Sequence, residues 1–79
     1  MIAQLFTTLG CHLCEQAHEL LLSLTGQGME LRIELIEIVD SAELMDRYGI
    51  TIPVIQVEDR EICWPFSIDE LRAFLENET

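Results

Sequence analysis

Two cysteines three positions apart are the residues of this chain best suited to covalent chemistry. Cys11 and Cys14 follow a short apolar run and stand at the start of a helical pattern. At the amino end of a helix, free backbone N–H groups and the positive end of the helix dipole stabilise a thiolate. Disulfide exchange needs one exposed thiolate that attacks and a second thiol that resolves the mixed disulfide. We therefore predict that Cys11 is the nucleophile and Cys14 the resolving thiol.

Cysteines at this spacing also occur in zinc sites. The pair supplies two ligands, and the sequence has no second cysteine pair to complete the usual four. His12 and His18 could add nitrogen ligands, but adjacent residues rarely reach one ion in good geometry, so we expect His18 on the helix surface. We predict no metal site. A metal or iron–sulfur binding module, formed when a dimer brings two Cys11 thiolates together, stays open as an alternative.

His12 lies between the two cysteines and is a candidate for redox tuning. As a cation it would stabilise the Cys11 thiolate and make the disulfide more oxidising. A solvent-facing residue without a role is the equal alternative. Glu15 and Glu19 act in the opposite direction, because negative charge nearby disfavours a thiolate. On balance we predict that the pKa of Cys11 is lowered, but not to an extreme value.

The charge composition narrows the classes of partner. The chain of 79 residues has a net charge of −11, no lysine and four arginines. Nucleic acids and anionic membranes attract basic surfaces, so we predict neither as a partner and expect basic or neutral partners instead. Like charges on the surface also keep a small protein dispersed, and we expect a monomer.

Length and cysteine content limit the number of domains and indicate the cellular compartment. We predict a single domain over residues 1–79, since 49% of the residues are hydrophobic and can fill one small core. Three cysteines are too few for a disulfide scaffold. The first residues have neither a basic flank nor a long apolar segment. The prediction is therefore a cytoplasmic protein, where an exposed cysteine pair is usually catalytic or metal-binding.

Hydrophobic periodicity predicts the elements that position the cysteines. Strands are expected at 2–8, 31–39, from Pro53 to 57 and at 61–64. Helices are expected from Leu13, through Tyr48, and from the capping box Ser67–Glu70 onward. A strand–helix–strand unit implies parallel strands, and the last two strands form an antiparallel hairpin. The prediction is an α/β fold in the order β-α-β-α-β-β-α, with a four-stranded mixed sheet and helices on both faces.

Three segments resemble one known family. They are residues 7–14 with the Gly-Cys-His-Leu-Cys sequence, residues 48–54 with the Ile-Pro step, and Trp-Pro-Phe at 64–66. In this order they resemble the glutaredoxin branch of the thioredoxin superfamily, and more closely its small bacterial glutaredoxin-like domains. The resemblance covers essentially the whole chain. It implies the thioredoxin/glutaredoxin-like fold and thiol–disulfide oxidoreductase activity.

The resemblance also implies roles for residues outside the cysteine pair. Pro53 would be cis and would face the cysteines across a groove, where Thr51, Ile52 and Pro53 bind the backbone of a substrate. An ordinary trans proline is the alternative, because cis X–Pro bonds are uncommon. Trp64, Phe66 and Asp69 are candidates for the groove, although packing against the last helix would also explain the two aromatic residues.

Two departures from the family pattern concern glutathione. Glutaredoxins that use glutathione usually carry a basic residue shortly before the first cysteine, where this chain has Thr7, Thr8 and Leu9. They also carry a glycine pair before the last helix, where this chain has Phe66 and Ser67. Together with the negative net charge, these differences lead us to predict no cofactor and no bound glutathione.

The function predicted from the sequence is that of a thiol–disulfide oxidoreductase. Its substrate would be a disulfide-containing protein or a small thiol, and an unidentified reductant would restore the cysteine pair. Besides the metal or iron–sulfur module, a redox-inert interaction domain that uses the proline groove is a further alternative. Cys63 is expected as a small packed side chain in the fourth strand, with a third accessible thiol as its alternative.

Overall fold

The computed structural model describes residues 1–76 and has the predicted order of elements. The strands are β1 (Ile2–Thr7), β2 (Arg32–Glu37), β3 (Val54–Val57) and β4 (Arg60–Cys63), and the helices are α1 (His12–Gly26), α2 (Ala42–Tyr48) and α3 (Ile68–Glu76). The sheet has the order β2-β1-β3-β4. β1 and β2 are parallel, whereas β3 is antiparallel to both of its neighbours. The predicted four-stranded mixed sheet is confirmed.

The helices cover both faces of the sheet, as predicted. Helices α1 and α3 pack on one face, where Leu5 of β1, Leu21 of α1 and Leu71 of α3 belong to the larger buried cluster. Helix α2 covers part of the other face, where Phe6 stacks on Tyr48 with ring centroids 4.4 Å apart. Burial of these apolar side chains provides most of the driving force for folding. None of the helices within residues 1–76 combines the length and apolarity that crossing a membrane requires.

Helix α3 begins with the capping box that its sequence predicts. The Glu70 N–H donates to Ser67 Oγ at 3.1 Å, and the Ser67 N–H donates to Glu70 Oε1 at 2.9 Å. Phe66 and Leu71 flank this box and are both buried in the larger cluster, which is the arrangement of a hydrophobic staple. These local contacts set the direction in which α3 crosses the sheet.

The chain before β3 contains the predicted cis bond, between Ile52 and Pro53. Strand β3 begins at Val54 and not at Pro53, because proline has no N–H for the strand ladder. The Pro53 carbonyl still accepts a hydrogen bond from the Trp64 N–H at 3.0 Å. This bond ties the Ile-Pro step to the end of β4. A second cis bond joins Trp64 and Pro65.

The prediction that Cys63 is packed in the fourth strand is wrong. Cys63 is exposed and is not part of a disulfide. It ends β4, which is an edge strand and therefore has a neighbouring strand on one side only. Its open side leaves the thiol accessible, as the alternative interpretation held.

Candidate active site

The loops that carry the predicted site residues meet at one end of the sheet. Because β1, β2 and β4 run in the same direction and β3 runs opposite, the carboxyl ends of the first three lie beside the amino end of β3. We call residues 8–14, 37–40, 50–53 and 64–66 the cysteine end of the sheet. The fold thus brings together segments that are up to about fifty positions apart in the sequence.

Cys11 and Cys14 form a disulfide at the start of α1, with their Cα atoms 5.2 Å apart. Cys11 is the N-cap residue, with an extended backbone (φ −87°, ψ 102°), and Gly10 before it has a φ of +80°, which glycine adopts readily. The Cys14 N–H donates to Cys11 Sγ at 3.1 Å. Cys11 is half-buried, whereas Cys14 is only 2% exposed. Cys11 is therefore the more accessible sulfur, and a backbone amide points at it.

A cavity of about 320 Å³ opens beside the disulfide, between α1 and β2. We call it the cysteine cavity; its walls include Cys11, Cys14, Glu15, His18, Leu35 and Glu37. His18 is half-buried in this wall, so the prediction that it rests on the helix surface is only partly right. Two larger hollows, of about 560 and 770 Å³, lie around Met1 at the opposite end of the sheet and have no cysteine in their walls.

Glu37, at the end of β2, is a site residue that no sequence motif singles out, and it contacts the loop before α1. Its Oε1 accepts a hydrogen bond from the Val39 N–H at 3.0 Å. Hydrogen bonds from the Val39 backbone, the Thr8 side chain and the backbone of Leu9 hold the pKa of Glu37 below its usual value. Glu37 is opposite Thr7 in the parallel register of β1 and β2, which no local sequence pattern reveals. Glu37 therefore carries its negative charge at the cavity wall throughout the neutral pH range.

His12 is on the solvent side of α1. Its side chain is 90% exposed, and its Nδ1 is 3.6 Å from Glu15 Oε2. This position fits either interpretation of the sequence, since an exposed imidazolium acts on a nearby thiolate only through solvent. Its role in redox tuning stays a prediction.

The Ile-Pro step is held in place by a backbone carbonyl of α2. The N–H groups of Thr51 and Ile52 both donate to the Tyr48 carbonyl, at 2.9 and 3.2 Å, and Pro53 is fully buried. The Ile52 N–H is therefore engaged within the protein. A substrate backbone could pair with both polar groups of Ile52 only if this bond to Tyr48 opened. Substrate binding by Thr51, Ile52 and Pro53 stays a prediction.

The aromatic candidates for the groove belong mainly to the core. Phe66 is 6% exposed, and the half-buried Trp64 packs against it edge to face, with ring centroids 5.1 Å apart. Asp69 is exposed and forms an ion pair with Arg72 at 3.3 Å. Packing against α3 thus accounts for both aromatic residues. A groove role for these residues stays a prediction.

The residues at the start of α3 do not fit glutathione. An anion bound there would use backbone N–H groups, and the capping box engages two of them, those of Ser67 and Glu70. The carboxylates of Asp69 and Glu70 in the first turn would also repel the anion. No basic residue stands at positions 7–9 to compensate. We therefore derive no step through bound glutathione.

A metal site formed by one copy of the chain has too few ligands. Within residues 1–76, no three or more His, Cys, Asp or Glu side chains are placed to hold an ion together. The Cys11–Cys14 pair alone would supply two of the four ligands that structural zinc uses. The metal or iron–sulfur alternative therefore requires ligands from a second copy.

Comparison with known proteins identifies the family. Residues 3–76 match the profile of the Glutaredoxin-like domain (DUF836) family. The crystal structure of a Northeast Structural Genomics target protein from X. campestris is 35% identical, with a TM-score of 0.81 over 94% of this chain and 95% of that chain. Its solution structure, also 35% identical, gives a TM-score of 0.79 over 96% and 94%. Thus a profile and two structures agree along nearly the whole chain.

A more distant structure shows the same fold. Thioredoxin 1 from the thermophilic eubacterium Thermosipho africanus is 17% identical, with a TM-score of 0.64 over 96% of both chains. Among curated proteins, none matches this sequence. Because the family profile spans nearly the whole chain, this protein, whose fold is that of thioredoxin, belongs to the Glutaredoxin-like domain family.

Proposed function

We propose that this protein is a thiol–disulfide oxidoreductase that uses Cys11 and Cys14 on the disulfides of proteins or small thiols. The observation that carries the proposal is the asymmetry of the pair. Cys11 caps a helix, is the more accessible sulfur and accepts the Cys14 N–H at 3.1 Å, whereas Cys14 is 2% exposed. Such a position favours a thiolate at Cys11 and keeps Cys14 within reach for the second step.

In the reducing direction, the chemistry takes two exchanges. The Cys11 thiolate attacks one sulfur of the substrate disulfide, a mixed disulfide forms, and the first substrate thiolate leaves and takes a proton from water. Cys14 loses its proton to solvent and attacks Cys11 Sγ, which releases the second substrate thiol. Two electrons have then passed from the protein to the substrate, and an external thiol reductant restores the pair.

The partners and location that we propose follow from charge and cysteine content. Neither a cofactor nor bound glutathione takes part, in keeping with the poor fit at the start of α3. Nucleic acid and membranes are not partners, because four arginines against fifteen acidic residues leave no basic surface. We place the protein in the cytoplasm as a monomer. There, reducing thiol systems keep exposed cysteine pairs available for exchange.

Variants of the two cysteines test this proposal. All are made in a Cys63→Ser background, which removes the exposed third thiol, and all assays contain a chelator. With a disulfide-linked peptide as substrate and dithiothreitol as reductant, Cys11→Ser should lower the rate to that of dithiothreitol alone. In a separate reaction without dithiothreitol, pre-reduced Cys14→Ser should complete the first exchange and accumulate a mixed disulfide, detected as added mass on the intact protein.

Other outcomes would contradict the proposal. Full activity of Cys11→Ser would show that the nucleophile lies elsewhere. A cysteine pair that forms its disulfide only after metal has been stripped from the protein would favour the metal or iron–sulfur module. A pair that keeps one redox state in thiol buffers and exchanges with no disulfide would favour the redox-inert interaction domain.

A further inference from the structure

The fixed charges in the walls of the cysteine cavity are carboxylates. Glu15 and Glu37 line the cavity with Cys11, and among residues 1–76 its wall has one further titratable side chain besides the cysteines, that of His18. His12 Nδ1 is 3.6 Å from Glu15 Oε2 on the solvent side, and His12 does not line the cavity. A substrate that enters the cavity therefore meets negative charge within the same opening as the reactive sulfur.

The four arginines do not compensate this charge, because none of them lines the cavity. Arg32 begins β2 and Arg60 begins β4, both at the end of the sheet opposite the cysteines. Each arginine also has a partner of its own: Glu34 for Arg32, Glu61 for Arg47, the Phe74 carbonyl for Arg60, and Asp69 for Arg72. A carboxylate on the substrate thus finds no arginine beside Cys11.

An apolar wall accompanies the carboxylates. Leu35 is on the face of the sheet that α1 covers, yet it is 55% exposed because β2 is an edge strand. Leu9, at 91%, is still more exposed at the mouth of the cavity. Two exposed leucines beside a reactive disulfide suit a polypeptide better than a small, fully polar thiol.

We propose that the cysteine cavity selects protein disulfides in which a lysine or arginine stands next to the cysteine. The cationic side chain would lie at Glu15, whose carboxylate is 69% exposed and free of backbone hydrogen bonds of the kind that engage Glu37, and Leu35 would contact an aliphatic neighbour. The inference rests on the proposed oxidoreductase function and names its substrate class. The redox step is the pair of exchanges described above, with no additional reactant.

Charge-matched peptides test the selection. Three disulfide-linked peptide dimers carry lysine, glutamine or glutamate on both sides of the cysteine and are otherwise identical. The rate constant for oxidation of the pre-reduced Cys63→Ser protein is divided by that for dithiothreitol with the same peptide, which removes differences in intrinsic reactivity. At low salt the lysine peptide should react at least about tenfold faster than the glutamate peptide, and 0.5 M NaCl should shrink this ratio.

Two variants distinguish the effect of the cavity carboxylates on the rate ratio from the effect of the net charge. Glu15→Gln removes a carboxylate from the cavity wall and should lower the lysine-to-glutamate ratio by about twofold to fivefold. Glu30→Gln makes the same charge change between α1 and β2, at the other end of the molecule, and should leave the ratio unchanged. A similar fall in both variants would overturn the inference, because the preference would then come from net charge alone.

The remaining outcomes distinguish this inference from the proposed function. Equal normalised rates for the three peptides, all lost in Cys11→Ser, would overturn the selection by charge and leave the oxidoreductase standing. Absence of reaction with every peptide, with the Cys63→Ser protein fully reduced at the start, would overturn both.

Discussion

At the scale of single residues, the position at which α1 begins creates the difference in exposure between Cys11 and Cys14. The helix begins immediately after Cys11, so this residue keeps an extended backbone at the surface. Three positions later, Cys14 is on the face that also carries Ala17, Leu21 and Leu24, all of them buried. Cys11 is more accessible because it precedes the helical backbone, whereas Cys14 lies within the helix on the face that packs against the core.

Glu37 is predicted to lower the free energy of unfolding of this protein as the solution becomes acidic. The native structure lowers its pKa, chiefly through the hydrogen bond from the Val39 N–H, relative to an unperturbed value of 4.5. The stabilisation is therefore fully present above the unfolded pKa and is lost as the pH falls through the lower, folded value. Between pH 7 and pH 3, the free energy of unfolding in urea should fall more steeply for the wild type than for Glu37→Gln.

A matched control separates this effect from the loss of one acidic residue. Glu30→Gln removes an exposed carboxylate outside the cysteine end and should follow the wild-type pH profile. Parallel profiles for all three proteins would show that the hydrogen bonds of Glu37 add nothing to acid sensitivity.

At the scale of elements, α1 is held by one narrow apolar face. Leu21 is fully buried, whereas its neighbour Leu22 is 51% exposed. Leu21→Ala should lower the free energy of unfolding by about 2–5 kcal/mol, because it removes buried contacts and leaves a cavity. Leu22→Ala, with the same change of side chain, should stay within about 0.5 kcal/mol of the wild type. Urea unfolding at pH 7 measures both values.

Equal destabilisation by the two substitutions would contradict this assignment of the buried face. The same comparison bears on the cysteines, because Cys14 and Leu21 are on one face of α1. A helix that turned Leu22 inward would also change the exposure of Cys14. The free energies of unfolding of the two variants therefore test which face of α1 is buried, and with it the burial of Cys14, without an activity assay.

The first turn of α3 is stabilised by its own residues. Ser67 and Glu70 satisfy each other's backbone N–H groups, so the turn does not depend on an anion for these bonds. Ser67, the first residue of this box, stands with Phe66 where glutaredoxins that use glutathione carry a glycine pair.

At the scale of the whole molecule, the net charge of −11 acts across the full particle. The Debye length is about 30 Å at 10 mM salt, similar to the 34 × 26 × 20 Å extents of the molecule, and about 8 Å at 150 mM. Repulsion between distant carboxylates is therefore screened as salt is added. The melting temperature should rise by several degrees between 10 and 150 mM NaCl.

Reducing the net charge should weaken this response. Glu30→Lys changes an exposed residue away from the cysteine end and should melt at a higher temperature than the wild type at 10 mM NaCl, with a smaller further rise at 150 mM. A wild-type melting temperature that falls with salt would mean that the attraction within the arginine ion pairs outweighs the overall repulsion.

The order and type of the elements could be predicted because both depend on local patterns. The apolar period of α1, the capping box at Ser67–Glu70 and the short apolar run of β1 act over a few residues, and each agrees with the structure. Strand ends were less accurate: the second strand, expected at 31–39, is Arg32–Glu37. The last residues depend on pairing with β1, which no local pattern contains.

By itself, the sequence determined the cysteine pair at a helix start, the order of elements and the family to which they belong. Only the tertiary structure decided what surrounds the pair. Leu35 and Glu37 reach the cavity through the parallel register of β2 on β1, and the exposure of Cys63 follows from its place on an edge strand. The physical reason is that periodicity acts between near neighbours in the chain, whereas cavities and edges form where distant segments pack.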